Sequence, residues 1–306
     1  MKPLVRTNNL TKYYGKKLAL KKICLNVPEG SVYGLLGLNG AGKTTTIGLL
    51  SQFIFPSSGE IFIGDLSSDK EPDIAKEFIG VLPQDASFYH NMSAIEHMVY
   101  FGRLQGLSKI SAFKNGLKLL KKVGLKSYSS VKTGELSHGM RRRLGIAQAL
   151  IGKPKLLILD EPTSGLDPLI AKDIRDLVVK LKKEHNTIIF CSHNLYEVEE
   201  ICDYVGVLHN GMLVKESSMD DLKHLKVLTL KFTEKISGKI LSVLRREAFI
   251  KSVVKKEGGL VVAFKKEDKT TELVKFLSSK KIVIKSFERG RKLEESFLDL
   301  VKKGRK

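Results

Sequence analysis

The sequence predicts an α/β protein: a parallel β-sheet with helices on its faces, followed by a smaller α+β unit. Three observations carry this reading. Runs of strand length, Ser31–Leu36, Leu156–Leu159 and Thr187–Cys191, alternate with segments of helical periodicity. These runs are almost continuously apolar, as in strands buried on both faces. After residue 225 the pattern changes to short strands and helices in the order β-α-β-β-α-β, the ferredoxin-like arrangement. Two domains are therefore expected, 4–224 and 226–306, in keeping with 306 residues at roughly 100–200 per domain.

Element by element, Val5, Ala19–Val27 and Ser31–Leu36 read as extended, broken by turns at Tyr14-Gly15 and Pro28-Glu29-Gly30. A helix should begin near Gly42 and run through Ile47, Leu49 and Leu50 to about Gln52. Pro56-Ser57-Ser58-Gly59 is a turn, and Ile61–Ile63 a strand. Residues 72–135 read as mostly helical, with N-caps at Ser93 and Ser108. Helices should follow Gly139 and Pro168, on either side of the strand Leu156–Leu159. In the second unit, Val227–Phe232 is a strand and Ile240–Ala248 a helix. Val253–Lys256 and Leu260–Phe264 form a hairpin across Glu257-Gly258-Gly259. Thr271–Leu277 is helical and Ile282–Phe287 extended, and Leu293, Phe297, Leu300 and Val301 recur at helical spacing.

Composition narrows the function. Fifty-three Lys and Arg against 33 Asp and Glu give a net charge of +20, with 23 basic and 10 acidic residues in 226–306. That basic end suits either an anionic membrane surface or nucleic acid, and equally a solvated surface. No apolar run approaches the ~18 residues of a membrane span, and Met1–Leu10 has no signal-peptide core. A cytoplasmic, soluble or peripheral protein is expected. Cys24, Cys191 and Cys202 lie far apart without a CxxC, which argues against a zinc site or a disulfide framework.

Two stretches carry chemistry. Gly37-Leu38-Asn39-Gly40-Ala41-Gly42-Lys43-Thr44 fits G-x-x-x-x-G-K-[ST], after an apolar strand and at the start of a helix. Glycines let successive N–H groups turn inward on phosphate oxygens, and the helix N-terminus adds positive potential. Lys43 would neutralise the β- and γ-phosphates of ATP, and the Thr44 hydroxyl would ligate Mg²⁺. Thr45 extends the same cradle. Lys155-Leu156-Leu157-Ile158-Leu159-Asp160-Glu161 is an apolar strand ending in two carboxylates. After a phosphate loop it reads as a strand on which Asp160 holds Mg²⁺ and Glu161 polarises the attacking water.

Leu136-Ser137-His138-Gly139-Met140, ahead of Arg141-Arg142-Arg143, resembles the LSGGQ signature of ATP-binding cassette (ABC) ATPases. It lies between the phosphate loop and the acidic strand, as that family requires. Other elements match in order. Tyr14 looks like the aromatic that stacks on adenine, with Tyr13 as its neighbour. Gln84 looks like the Q-loop glutamine, a Mg²⁺ and water contact. Ser164-Gly165-Leu166-Asp167 resembles the D-loop, and His193 resembles the switch histidine. His138 and Met140 depart from the usual signature. Met followed by basic residues resembles the cassettes of drug, antibiotic and polysaccharide exporters, and 226–306, with Leu293-Glu294-Glu295-Ser296-Phe297-Leu298, resembles their accessory domain. Arg141–Arg143 by itself reads as a solvated helix face, and His90, His97, His138 and His185 show no metal-ligand spacing.

The resemblance implies a P-loop cassette with an antiparallel β-subdomain and a helical insertion, binding and hydrolysing MgATP. It implies a head-to-tail dimer, with Ser137 and Gly139 of one copy facing Lys43 of the other. It also implies a separate transmembrane permease, docked around 84–106 and more suited to export than import. Phe88, Tyr89, Met92, Met98, Tyr100 and Phe101 give that stretch an apolar content that fits a partner groove or a core. The alternative is a cassette acting on nucleic acid or ribosomes. A single cassette without an inserted coiled coil speaks against it.

Overall fold

The computed structural model describes residues 2–223, 227–233, 238–256, 259–265, 269–280 and 282–289. It divides into two units, Met1–Glu216 and Ser217–Lys306, ahead of the junction at 224–226 expected from the sequence.

The first unit opens with strands β1 (Pro3–Tyr14), β2 (Lys17–Ile23), β3 (Asn26–Pro28) and β4 (Val32–Leu36), then helix α1 (Lys43–Leu50). There follow β5 (Ser58–Ile63), β6 (Leu66–Ser67), α2 (Pro72–Glu77) and β7 (Ile79–Leu82). Helices α3 (Ala94–Leu104), α4 (Lys109–Lys122) and α5 (His138–Ala149) come next. The unit closes with β8 (Leu156–Asp160), α6 (Pro168–Lys183), β9 (Thr187–Ser192), α7 (Leu195–Ile201), β10 (Tyr204–His209) and β11 (Met212–Ser218).

A six-stranded sheet runs β11-β10-β4-β9-β8-β7, with parallel pairing from β10 to β7. Every residue of β4, β8 and β9 is buried, which is why these strands lack a polar face in the sequence. An antiparallel sheet, β2-β1-β5-β6 with β3 against β1, forms the β-subdomain. One apolar core, including Leu20, Tyr33, Leu35, Ile158 and Ile189, draws on both sheets. Strand order reverses at β4, and the β4 and β8 loops leave the sheet at their carboxyl ends, where α/β folds place ligands.

Ser93 and Ser108 cap α3 and α4 as the sequence indicates. The Ser93 hydroxyl accepts from Glu96 N, and Glu96 answers by accepting from Ser93 N at 2.8 Å, a closed capping box. The mostly helical reading of 72–135 misses β7. Its four residues are too few to show a period, and Gly80 is packed so closely that a Cβ there would lie 2.0 Å from the Ala149 carbonyl oxygen. Strands β10 and β11 were also not anticipated.

The second unit contains α8 (Met219–Lys223), β12 (Val227–Phe232), α9 (Gly238–Leu244), β13 (Ile250–Lys256), β14 (Gly259–Phe264), α10 (Thr270–Ser279) and β15 (Ile284–Arg289). Its antiparallel sheet has the order β13-β14-β12-β15, the strand order of a ferredoxin-like unit. Leu228, Leu230, Leu260, Val262, Leu273 and Leu277 form its core. Helix α9 ends before the expected Ala248. The expected helix at 293–301, the segment Leu293–Leu298 and the turn residues Glu257 and Gly258 lie outside the described residues.

Candidate functional site

Strand β4 delivers the chain into the loop 37–42, and α1 starts at Lys43. Gly42, with φ of 108°, occupies a conformation closed to L side chains, and a Cβ there would lie 2.5 Å from Leu20 Cδ2. The loop can therefore curl onto α1 only with glycine at this position. Lys43, 7 % exposed, donates from Nζ to the Gly37 carbonyl at 2.6 Å. The same nitrogen lies 3.6 Å from Glu161 Oε1.

Glu161 follows β8 with φ of 47°, a left-handed conformation that costs about 1–2 kcal/mol for a side chain of its kind. Its N–H donates to Cys191 O at 3.1 Å, which ties the end of β8 to the end of β9. His193, just beyond β9, places Nδ1 2.9 Å from Glu161 Oε2 and 3.0 Å from Oε1. A line of charged and polar groups thus runs from Lys43 through Glu161 to His193.

Asp160 stands beside this line, 3 % exposed. Burial, then the neighbouring Glu161 carboxylate, push its pKa up to about 6, against the opposing pull of Lys43 and Arg142. Arg142, on α5, donates from Nη1 to the Gln84 carbonyl at 2.7 Å. Its burial lowers its pKa. The reading of Arg141–Arg143 as a solvated face is therefore corrected. Arg141 donates to the Leu136 carbonyl just ahead of its helix, Arg142 is buried against the Gln84 loop, and Arg143 pairs with Asp173. Helix α5 turns Arg142 inward while Arg141 and Arg143 stay partly exposed, so the correction falls on Arg142.

These groups border a cavity of about 600 Å³. Leu38, Asn39, Gly40, Gly42, Lys43, Thr44, Thr45, Gln84, Asp160, Glu161 and His193 line it, and so does Tyr14, whereas Tyr13 does not. Gly37 takes part through its carbonyl, and Ala41 is buried beneath the loop. Ser164 of the expected D-loop lines the cavity too, whereas Lys17, Leu18, Ala19, Asn210 and Gly211 line it and were missed. An Asn-Gly pair is a turn signal, but nothing local says that this turn between β10 and β11 reaches the phosphate loop.

Three expected residues lie elsewhere. Ser137 caps α5, its hydroxyl accepting from Met140 N at 3.2 Å, and stands exposed. Gly139 lies against α6, where a Cβ would come within 2.5 Å of Ile170 Cγ2. Asp167 immediately precedes α6, makes no side-chain capping hydrogen bond there, and is exposed. None of the three lines the cavity. His138 lies near the D-loop, its ring 3.5 Å from where a Cβ on Gly165 would be.

A parallel sheet with a glycine-rich phosphate loop at one strand end and an acidic pair at another defines a P-loop nucleoside triphosphatase. The family model described as ABC transporter matches residues 20–164. The bacitracin transport ATP-binding protein BcrA of Bacillus licheniformis is 36 % identical over 304 residues, covering 98 % of each chain. The linearmycin resistance ATP-binding protein LnrL of Bacillus subtilis (strain 168) is 38 % identical over 219 residues, 72 % of this chain and 70 % of LnrL. The dimeric post-hydrolysis structure of the cassette MJ0796 bound to ADP and Pi superposes with a TM-score of 0.63 at 25 % identity, over 70 % of this chain and 98 % of that one. The chain belongs to the ABC transporter family, as an ATP-binding cassette, and is an ABC-type ATPase.

Proposed function

We propose that the chain binds MgATP in the 600 Å³ cavity and hydrolyses it to drive export through a separate transmembrane permease. The observation that carries this is the line Lys43–Glu161–His193 beside Asp160. The N–H groups of the loop 37–42 and the start of α1 cradle the phosphates. Lys43 exchanges its contact with the Gly37 carbonyl for phosphate oxygens. Glu161 orients and deprotonates the attacking water, and His193 holds that carboxylate in place and contacts the γ-phosphate. Tyr14 stacks on the base.

The chemistry of the donor set fits a hard divalent cation: the buried Asp160 carboxylate, the Thr44 hydroxyl and the Gln84 amide oxygen are all oxygen donors lining one cavity. Thr44, Asp160 and Gln84 would hold Mg²⁺, which supplies charge neutralisation at the phosphate oxygens.

Ser137 and Gly139 sit away from the cavity, so they complete the site of a second copy in a head-to-tail dimer. The dimeric cassette MJ0796 supports this arrangement. A groove of about 520 Å³ between α3 and α4, lined by Val99, Tyr100, Leu104 and Phe113, is the face on which the permease docks. Among the described residues no helix is long and apolar enough to cross a membrane. Membership of the ABC transporter family supports a peripheral subunit on the cytoplasmic face of the membrane. The antibiotic-linked names of BcrA and LnrL support export of such a compound, and nucleic acid is not an expected partner. In this reading the first unit is the motor and the second an accessory domain.

Glu161→Gln tests the reading. Gln keeps the shape and a hydrogen-bonding oxygen but loses the base, so hydrolysis should slow by about 10²–10⁴-fold while ATP still binds. In sedimentation with MgATP the variant should form a dimer that disappears in ADP, and adding Ser137→Ala should weaken it. A variant that remains monomeric in excess MgATP yet hydrolyses normally would remove both the role of Glu161 and the shared site.

A further inference from the structure

Behind the cavity lies a buried polar cluster that none of these steps uses. Glu197, in the first turn of α7, is 5 % exposed. Its Oε2 accepts from two hydroxyls, Thr163 at 2.8 Å and Ser192 at 2.9 Å. Thr163 stands two residues past Glu161, and Ser192 immediately precedes His193. Ser192 Oγ in turn accepts from Asn194 N at 3.0 Å, so the turn carrying His193 is held on both sides. The Glu197 charge is balanced by Arg175 of α6, whose Nη1 lies 3.4 Å from Oε1 and whose Nε donates to Glu200 at 2.7 Å.

One carboxylate oxygen therefore bridges the loop after β8 and the loop after β9, which carry Glu161 and His193. Packing alone does not fix their spacing, because Glu161, Thr163, His193 and Glu197 all border a cavity of about 360 Å³. An ionised carboxylate oxygen is suited to the task, since it accepts two donors at once and offers none to compete. We propose that Glu197 is a positioning residue, which sets the Glu161–His193 geometry by clamping Thr163 and Ser192. The proposal rests on the hydrolytic reading of the site given above.

The test is steady-state ATPase kinetics and nucleotide binding on the full chain carrying Glu197→Gln, His193→Ala or both. Ser192→Ala and Thr163→Val are included because each deletes one donor without leaving Arg175 unpaired. Displacement of a reacting pair by a fraction of an ångström to one ångström costs up to about 10²-fold, so Glu197→Gln should lower kcat by about tenfold with KM for ATP nearly unchanged. Ser192→Ala and Thr163→Val should act in the same direction with smaller effect. The double variant Glu197→Gln/His193→Ala should lose less than the product of the two single losses, because part of what Glu197 positions is His193.

If His193→Ala turns over at the parent rate, the hydrolytic reading fails and the proposal goes with it. If His193→Ala is slow but Glu197→Gln, Ser192→Ala and Thr163→Val are all normal, the proposal alone fails. Two further outcomes also overturn it: multiplicative losses in the double variant, and loss of ATP binding in parallel with kcat. The last would mean that Glu197 only holds the fold together.

Discussion

In the cavity, Lys43 and Glu161 are 7 % and 6 % exposed, and Glu161 is held in a left-handed backbone conformation. Along the groove between α3 and α4, Leu104 and Phe113 are 65 % and 47 % exposed, on helices started by serine caps and free of backbone strain. The cavity gathers Lys43, Asp160 and Glu161 at low exposure, where electrostatic effects are large, with the more exposed His193 paired to Glu161. The groove offers exposed apolar surface, next to the exposed Arg103 and Lys109. Chemistry requires the first arrangement. A docking face requires the second, since its contacts must remain available until a partner supplies the other half.

That contrast is broken most forcefully at Lys43. It contacts the Gly37 carbonyl at 2.6 Å and Glu161 at 3.6 Å, both in the phosphate-loop region. Lys43→Ala should therefore leave the fold and the groove intact while removing charge stabilisation of the γ-phosphate. Loss of one such contact is worth about 10²–10³-fold in kcat. The check is ATPase rate alongside recovery of the permease from native membranes: rate should collapse and recovery should not. Normal turnover would take Lys43 out of the cradle.

How much of this could be read beforehand follows from the same contrast. The phosphate loop was legible because its chemistry is written in contiguous residues, from Gly37 to Thr44, and the acidic pair because it ends an unbroken apolar strand. The caps Ser93 and Ser108 were legible because capping is a local hydrogen bond. Contributions from distant chain were not. Asn210 and Gly211 reach the cavity only because β10 pairs beside β4. Arg142 is buried only because α5 packs inward against the Gln84 loop, and β7 was too short to interrupt a helical pattern. The link from Glu197 to Thr163 spans 34 positions, and no local periodicity encodes it.

The converse of the Lys43 experiment lies in the groove. Leu104 is exposed enough that Leu104→Asp should fold and hydrolyse ATP at the parent rate. A charge in the middle of an apolar contact should weaken permease binding by about 2 kcal/mol, or roughly 30-fold, the size of an interfacial hot spot. Co-purification with the permease reads this directly. Undiminished recovery of the complex would move the docking face elsewhere, and a parallel loss of ATPase in the isolated chain would dissolve the separation between the two regions.

The smallest expected effect sharpens the comparison from within the helical region, at the buried His97. His97 on α3 is fully buried, with Nε2 2.8 Å from Gln148 Oε1 and the Phe88 and Phe101 rings 5.4 and 4.7 Å away. Its Nδ1 has no hydrogen-bond partner among the described residues. Burial lowers its pKa from the ordinary 6.5, and the Gln148 bond offsets this only in part. The unfolded chain therefore binds a proton at this residue more readily than the folded one. Stability from this group is fully present above pH 6.5 and is lost as pH falls from there through the lowered folded value. Asp160 titrates over a neighbouring window with the opposite sign: its raised pKa makes the folded state hold its proton up to about pH 6. That contribution is common to the parent and His97→Leu and cancels between them. Denaturant unfolding at pH 5, 6 and 7 should give a parent whose stability falls toward acid more steeply than that of His97→Leu. Equal slopes would mean that the imidazole is hydrated in solution, and that the helical region is less tightly closed beneath its groove than the geometry of Phe88, His97 and Phe101 indicates.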